Sequence, residues 1–176
     1  GVTLGVLRRE FSGRINSAAD FAWKKLHPIM PAESSVPGKA WQPTCHRHET
    51  LLPGTASDLL LEPQLLFEQY ERAVLPDQPG LLLSIKLTML QGGSLHAFYE
   101  RARSLARTEF VERRGLPVTL VMHVPSLSPA KTPARTHIHV LVLARKLGAH
   151  GFGQLGEFNG EAGRDGLVEA WLATAE

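Results

Sequence analysis

The chain has 176 residues, the length of one domain, and its 43% hydrophobic content is enough to bury one substantial core rather than two. Thirteen Arg and only six Lys lie behind a net charge of +2, a ratio suited to planar phosphate-binding forks and so a pointer to nucleic acid. One cysteine excludes an internal disulfide framework and a Cys-rich zinc finger, and apolar runs such as 80–83 and 140–144 fall far short of the ~18 residues of a membrane span. A soluble protein of the reducing cytoplasm is expected, and no signal pattern follows Gly1.

In chain order, Val2, Leu4 and Val6 alternate and predict a strand over 2–9, with a glycine turn at 12–14. Asn16 or Ser17 caps a predicted helix over 18–26, which Pro28 ends. Prolines at 28, 31, 37, 43, 53 and 63 make the next stretch an expected long loop. A helix follows over 62–74, with Leu65, Leu66, Gln69 and Ala73 on one stripe, and then a strand over 81–90. Gly92, Gly93 and Ser94 open an amphipathic helix that buries Leu95, Phe98, Ala102 and Leu105, turns its arginines outward and closes at Gly115. The β-rich runs 116–123 and 137–145 are joined by 124–136, which contains Pro125, Pro129 and Pro133, and are expected to pair antiparallel. Seven glycines crowd 148–166, and a short helix is expected over 167–175. The fold class is α/β (α+β): a central antiparallel sheet with helices packed against it, in a single domain over 1–176.

Side chains alternate along a strand, so His137 and His139 share one face, two residues apart. The end of the first strand of an antiparallel pair lies beside the start of the second, which brings His123 opposite them. An isolated His-x-His pair is usually unremarkable. A third histidine at the matching strand end instead suggests three ligands around one metal, with open positions for a substrate oxygen. Neutral imidazole suits Mn, Zn, Ni, Cu or Fe.

The runs Leu116-Pro117-Val118-Thr119-Leu120-Val121-Met122-His123 and His137-Ile138-His139-Val140-Leu141-Val142-Leu143-Ala144-Arg145, followed by Gly151-Phe152-Gly153, resemble the MobA/MobL-type plasmid relaxases, members of the histidine-hydrophobic-histidine (HUH) endonucleases. Upstream, Tyr70-Glu71-Arg72-Ala73, the strand at 81–90 and the helix ending Thr108-Glu109-Phe110-Val111 keep the family order, so the resemblance spans most of the chain and is weakest over 28–60. It implies nicking of single-stranded or hairpin DNA at a plasmid transfer origin, together with accessory relaxosome proteins. His123, His137 and His139 would hold a divalent metal (Mn, Mg or Zn) that polarises the scissile phosphate, and a tyrosine on the first helix would attack it to form a 5′-phosphotyrosine link. Family members usually continue into further domains, so the chain is expected to be the N-terminal part of a longer protein.

Three positions depart from the family pattern. Phe21 stands where the nucleophilic tyrosine belongs and has no hydroxyl, which fits either natural loss of nicking or a deliberate block of cleavage. Ser84 and Lys86 occupy the strand that commonly carries an acidic residue, and Arg135-Thr136 replaces the Asn-Pro that often precedes the histidine pair. If the triad receives a phosphate, Arg14, Lys25, Lys131, Arg135 and Arg145 are the candidates to track the DNA backbone, with Arg9 and Lys24 nearby, and Trp23 or Trp41 can stack bases.

Tyr70 and Tyr99 read as packing residues. Rolling-circle initiators and small transposases place their tyrosine after the histidine pair, and none follows Tyr99. Cys45-His46-Arg47-His48 reads as an ordinary exposed segment, and Gly151-Phe152-Gly153-Gln154-Leu155-Gly156 lacks the βαβ setting of a dinucleotide loop. Two other functions remain open: a catalytically silent module that binds origin DNA or another plasmid protein, and a metal-dependent phosphoester hydrolase that uses metal-bound water.

Overall fold

The computed structural model describes residues 1–29, 40–125, 135–156 and 160–174, without the side chains of 160–162. Five strands form one antiparallel sheet: β1 (Val2–Leu7), β4 (Arg47–Leu51), β5 (Leu82–Thr88), β6 (Val118–His123) and β7 (His137–Leu143), in the spatial order β1-β5-β7-β6-β4. Two short hairpins stand apart, β2 (Glu10–Phe11) with β3 (Arg14–Ile15), and β8 (Arg145–Gly148) with β9 (Gly151–Leu155). The helices are α1 (Ala18–Leu26), α2 (Pro63–Ala73), α3 (Leu95–Ala106) and α4 (Gly160–Ala173).

Alternation sorts the central strands into two layers. Ile138, Val140 and Val142 of β7 face one way with Val118, Leu120 and Met122 of β6 and Leu83, Ile85 and Leu87 of β5, and α3 and α4 cover them through Phe98, Ala102, Leu105 and Trp171. Leu141, Leu143, Val121 and Leu82 face the other way under Ala18, Ala22 and Leu26 of α1 and Leu66, Phe67 and Tyr70 of α2. The histidines share this second face, so α1 is the helix that roofs them.

Several expectations need correction. The stretch 28–63 contains edge strand β4 and a 3-10 turn at Asp58–Leu61. Its polar Arg-His-Glu-Thr sequence hid β4, because the strand is recruited by backbone pairing to β6 and by Glu49, whose carboxylate accepts from Arg103 of α3 at 2.9 and 3.0 Å. The buried stripe of α2 is Pro63, Leu66, Phe67 and Tyr70, whereas Leu65 is 43% exposed, which rotates the expected face. The glycine-rich stretch supplies the β8–β9 hairpin, whose turn ends at Gly151 with a φ of +95°, a backbone region that favours glycine. The last helix begins at Gly160 rather than 167, despite the low helix propensity of its glycines; docking on α3 holds it, with the Trp171 ring 5.9 Å from that of Phe98 and under the Arg101 guanidinium.

After α3 the chain widens into a π-helical turn over Arg107–Glu112, and Gly115, at φ +67°, closes it by donating from its N–H to the Val111 carbonyl. That closure feeds Leu116 and Pro117 directly into β6, the strand that ends at His123. No helix among the described residues is long and apolar enough to cross a membrane.

Candidate metal and phosphate site

The antiparallel register sets His123 directly opposite His137, while His139, two residues along β7, lies opposite Val121 on one side and Lys86 on the other. Alternation does the rest. All three rings emerge on the α1 side, with centroids 4.8–4.9 Å apart in edge-on pairs and one ligand nitrogen from each within 4.8 Å of the others. Among the described residues this is the one cluster of three or more histidine, cysteine or carboxylate groups placed to hold an ion.

Backbone carbonyls fix two of the ring orientations. His123 Nε2 donates to the Lys25 carbonyl at 2.6 Å, and His137 Nδ1 donates to the Arg135 carbonyl at 2.8 Å. These bonds leave His123 Nδ1 and His137 Nε2 as bare acceptors, 3.1 Å apart. Two lone pairs that close repel unless a cation lies between them, and a ligating imidazole usually donates its other N–H to a carbonyl or carboxylate outside the metal, as both rings do here. Burial also keeps the rings neutral. It is the leading cause that lowers all three histidines, and His139, only 7% exposed and further affected by Lys25 and its two neighbouring rings, is pushed down to about 3. Neutral rings with aimed lone pairs fit a bound divalent ion.

Beside the triad lies a groove of about 340 Å³, lined by Phe21 and Lys25 of α1, Ser84 and Lys86 of β5, His139 and the β1 backbone segment. Ser17 caps α1 by accepting from the Asp20 N–H, and Glu71 of α2 accepts from both Ser17 Oγ and the Ala19 N–H, each at 2.8 Å. Helix periodicity then stacks Phe21 and Lys25 one turn apart, with the Lys25 ammonium 5.1 Å from the Phe21 ring centre. Burial and then Lys86 lower the pKa of Lys25.

Among the sequence candidates, the structure therefore brings together His123, His137, His139, Phe21 and Lys25. Arg135 touches the site through its carbonyl while its side chain is exposed. Arg14 is exposed on the β2–β3 hairpin, two residues after its Ser12-Gly13 turn begins. Arg145 is not at the site. It follows β7 at the end far from His137, and its guanidinium donates to the Ala73, Phe152 and Gly153 carbonyls, which ties the β8–β9 hairpin to α2. Lys131 lies outside the described residues.

Trp23 is 3% exposed, with its indole N–H donating to the Ala40 carbonyl, and Trp41 stacks on Phe67, so both serve packing. The Tyr70 hydroxyl donates to the Leu81 carbonyl and accepts from Gln78, and Tyr99 is buried under the Arg47 guanidinium. Burial raises Cys45 to about 11, which leaves a thiol rather than a metal-seeking thiolate. Sequence reasoning marked Lys86 only as a departure and missed Glu71's support of α1. The signal for Lys86 was present as a lone charge within an otherwise apolar strand.

No family model matches the chain, and no curated protein matches it. Solved structures do. The chain superposes with a TM-score of 0.74 on one from the structure presented as the molecular basis of vancomycin resistance transfer in Staphylococcus aureus, at 15% identity, covering 99% of this chain and 89% of the other. It also superposes on the conjugative relaxase TrwC in complex with oriT DNA. The metal-bound form gives a TM-score of 0.58 at 14% identity, covering 99% of this chain and 67% of TrwC. The copper-bound form gives 0.54 at 15%, covering 99% and 68%.

Proposed function

We propose that this chain, which has the fold of the conjugative relaxases, is a DNA-processing domain that holds one strand of a plasmid transfer origin across the α1 groove. The observation that carries this reading is the placement of Phe21 and His139 on the walls of one groove, with the other two histidines adjoining. His123, His137 and His139 would hold a divalent ion, and three imidazole donors favour Zn or Mn over Mg, which prefers oxygen ligands. Such an ion would polarise a phosphate P–O bond. The Lys25 and Arg135 carbonyls keep two imidazoles in the tautomer that offers its lone pair, Lys25 and Lys86 attract the phosphate, and exposed Arg14 and Arg135 meet the flanking backbone.

Position 21 is the nucleophile position, and Phe21 has no hydroxyl to transfer. Tyr70 and Tyr99 are buried in the packing and do not substitute for it. As it stands the chain binds its strand without cutting it. The test is Phe21→Tyr with Mn²⁺ and single-stranded oligonucleotides from a transfer origin. Attack by the new phenolate would break the bond to the 3′ oxygen, giving a free 3′-hydroxyl and a 5′-phosphotyrosine adduct that shifts the protein on a denaturing gel. If Phe21→Tyr folds, binds the oligonucleotide and forms no adduct, the nicking assignment is lost and a silent binding module remains.

A further inference from the structure

The α1 side of the sheet carries no carboxylate at any strand position. On β1 it presents Thr3, Gly5 and Leu7; on β5, Ser84, Lys86 and Thr88; on β6, Thr119, Val121 and His123; on β7, the two histidines with Leu141 and Leu143; and on β4, His48 and Thr50. Lys86 stands directly across from His139, so their Cβ atoms are only about 5 Å apart. Lys25 comes to the same groove from α1, and both lysines line it together with His139. Two lysines beside three neutral imidazoles weaken this seat for a free cation, because the rings bring no negative charge to offset the repulsion. The same field attracts an anion.

We propose that Lys86, with Lys25, makes this metal site phosphate-dependent: a divalent ion binds weakly to the free protein and firmly once a nucleic-acid phosphodiester lies in the groove. The phosphate supplies the negative charge that the protein itself withholds. Lys86 thereby acts as a specificity residue, trading affinity for the bare ion against affinity for the strand. This rests on the metal reading of the triad, and linkage requires it to work both ways, with the ion raising affinity for DNA by the factor by which DNA raises affinity for the ion.

The experiment titrates Mn²⁺ by calorimetry into the full chain alone, with an oligothymidylate, and with a methylphosphonate oligothymidylate of equal length, whose linkages are uncharged. Lys86→Met and Lys86→Glu are measured beside it. Lys86 is exposed, so both variants are expected to fold, and circular dichroism checks this. A divalent ion and an ammonium several Å apart near the surface repel by roughly a tenfold factor in affinity. Lys86→Met should therefore tighten Mn²⁺ binding to the free protein about tenfold, and Lys86→Glu by about a hundredfold.

In the same variants oligothymidylate should bind more weakly, and Lys86→Met should lower the slope of log affinity against log salt by about 0.7, the share of one phosphate contact. The unmodified oligomer, and not the methylphosphonate, should tighten Mn²⁺ binding to the parent chain. Opposite movements for metal and DNA separate this from a merely structural lysine, whose loss would weaken both. Mn²⁺ binding that is unchanged in Lys86→Met and Lys86→Glu, or that is helped equally by the uncharged oligomer, overturns the inference alone. No Mn²⁺ binding to any of the three proteins under any condition overturns the metal reading and the inference together.

Discussion

His123 Nδ1 and His137 Nε2 face each other at 3.1 Å, and each ring is held from behind by a backbone carbonyl, Lys25 for the first and Arg135 for the second. With both outer N–H groups given to carbonyls, the two facing nitrogens of the neutral rings are acceptors, and an ion takes both lone pairs. Binding should therefore stabilise the fold. A hundredfold excess of Mn²⁺ or Zn²⁺ over its Kd should raise Tm by about 5–10 °C, and EDTA should reverse the shift. His123→Ala or His137→Ala should weaken the metal by at least the ~10–100-fold typical of losing an outer partner, and should remove the thermal shift. A full shift retained in both variants would place the ion elsewhere.

Proton competition at the triad should be weak. The histidine pKa values are lowered from 6.5, that of His139 to about 3, so the folded apo protein keeps its rings neutral where an exposed imidazole would already be charged. Metal affinity should fall less between pH 8 and 6 than that of three exposed imidazoles. Without metal, the unfolded chain takes up protons below pH 6.5 that the folded chain refuses, so the triad's contribution to stability, fully present above 6.5, is lost as pH falls from 6.5 toward 3. Urea midpoints of the apo protein at pH 7.5 and 5 report this directly. A midpoint that rises on acidification would contradict neutral buried rings.

Glu71 holds the start of α1 by accepting two hydrogen bonds, from Ser17 and Ala19, and α1 carries Phe21 and Lys25. Glu71→Ala should cost about 1–2 kcal/mol of stability, the size of a lost cap. In a Phe21→Tyr background it should slow adduct formation while lowering Mn²⁺ affinity far less, because α1 meets the triad through the Lys25 carbonyl at the opposite end of the helix from Glu71. Equal loss of metal and adduct would mean that Glu71 supports the whole face instead.

Tyr70 offers a check on which phenol reacts. Its buried hydroxyl bridges Gln78 and the Leu81 carbonyl, so Tyr70→Phe should destabilise by about 1–3 kcal/mol through those unpaired groups. The double variant Phe21→Tyr with Tyr70→Phe should still form the adduct, whereas Tyr70 as the reacting group would require the adduct to vanish. Mass spectrometry of the linked peptide distinguishes the two.

Local period carried much of this in the sequence. Alternation along 137–143 put His137 and His139 on one face without any knowledge of the third dimension, and the strand pattern of 116–123 made β6 a partner whose end meets them. The same logic failed where local signal was weak. β4 is polar and forms because β6 presents unpaired backbone, and α4 crosses three glycines because Trp171 finds Phe98.

Binary pattern, turn residues and the His-x-His spacing are properties of neighbouring residues, so the sequence alone determined the inner strands, α1 to α3 and the convergence of three imidazoles. The tertiary structure decided what surrounds them: α1 over the site with Phe21 and Lys25, Lys86 across from His139, Glu71 behind the helix, and Arg145 spent on a distant hairpin. Those relations join residues far apart in the chain. Their geometry follows from which hydrophobic faces pack together, a global property that no local spacing encodes.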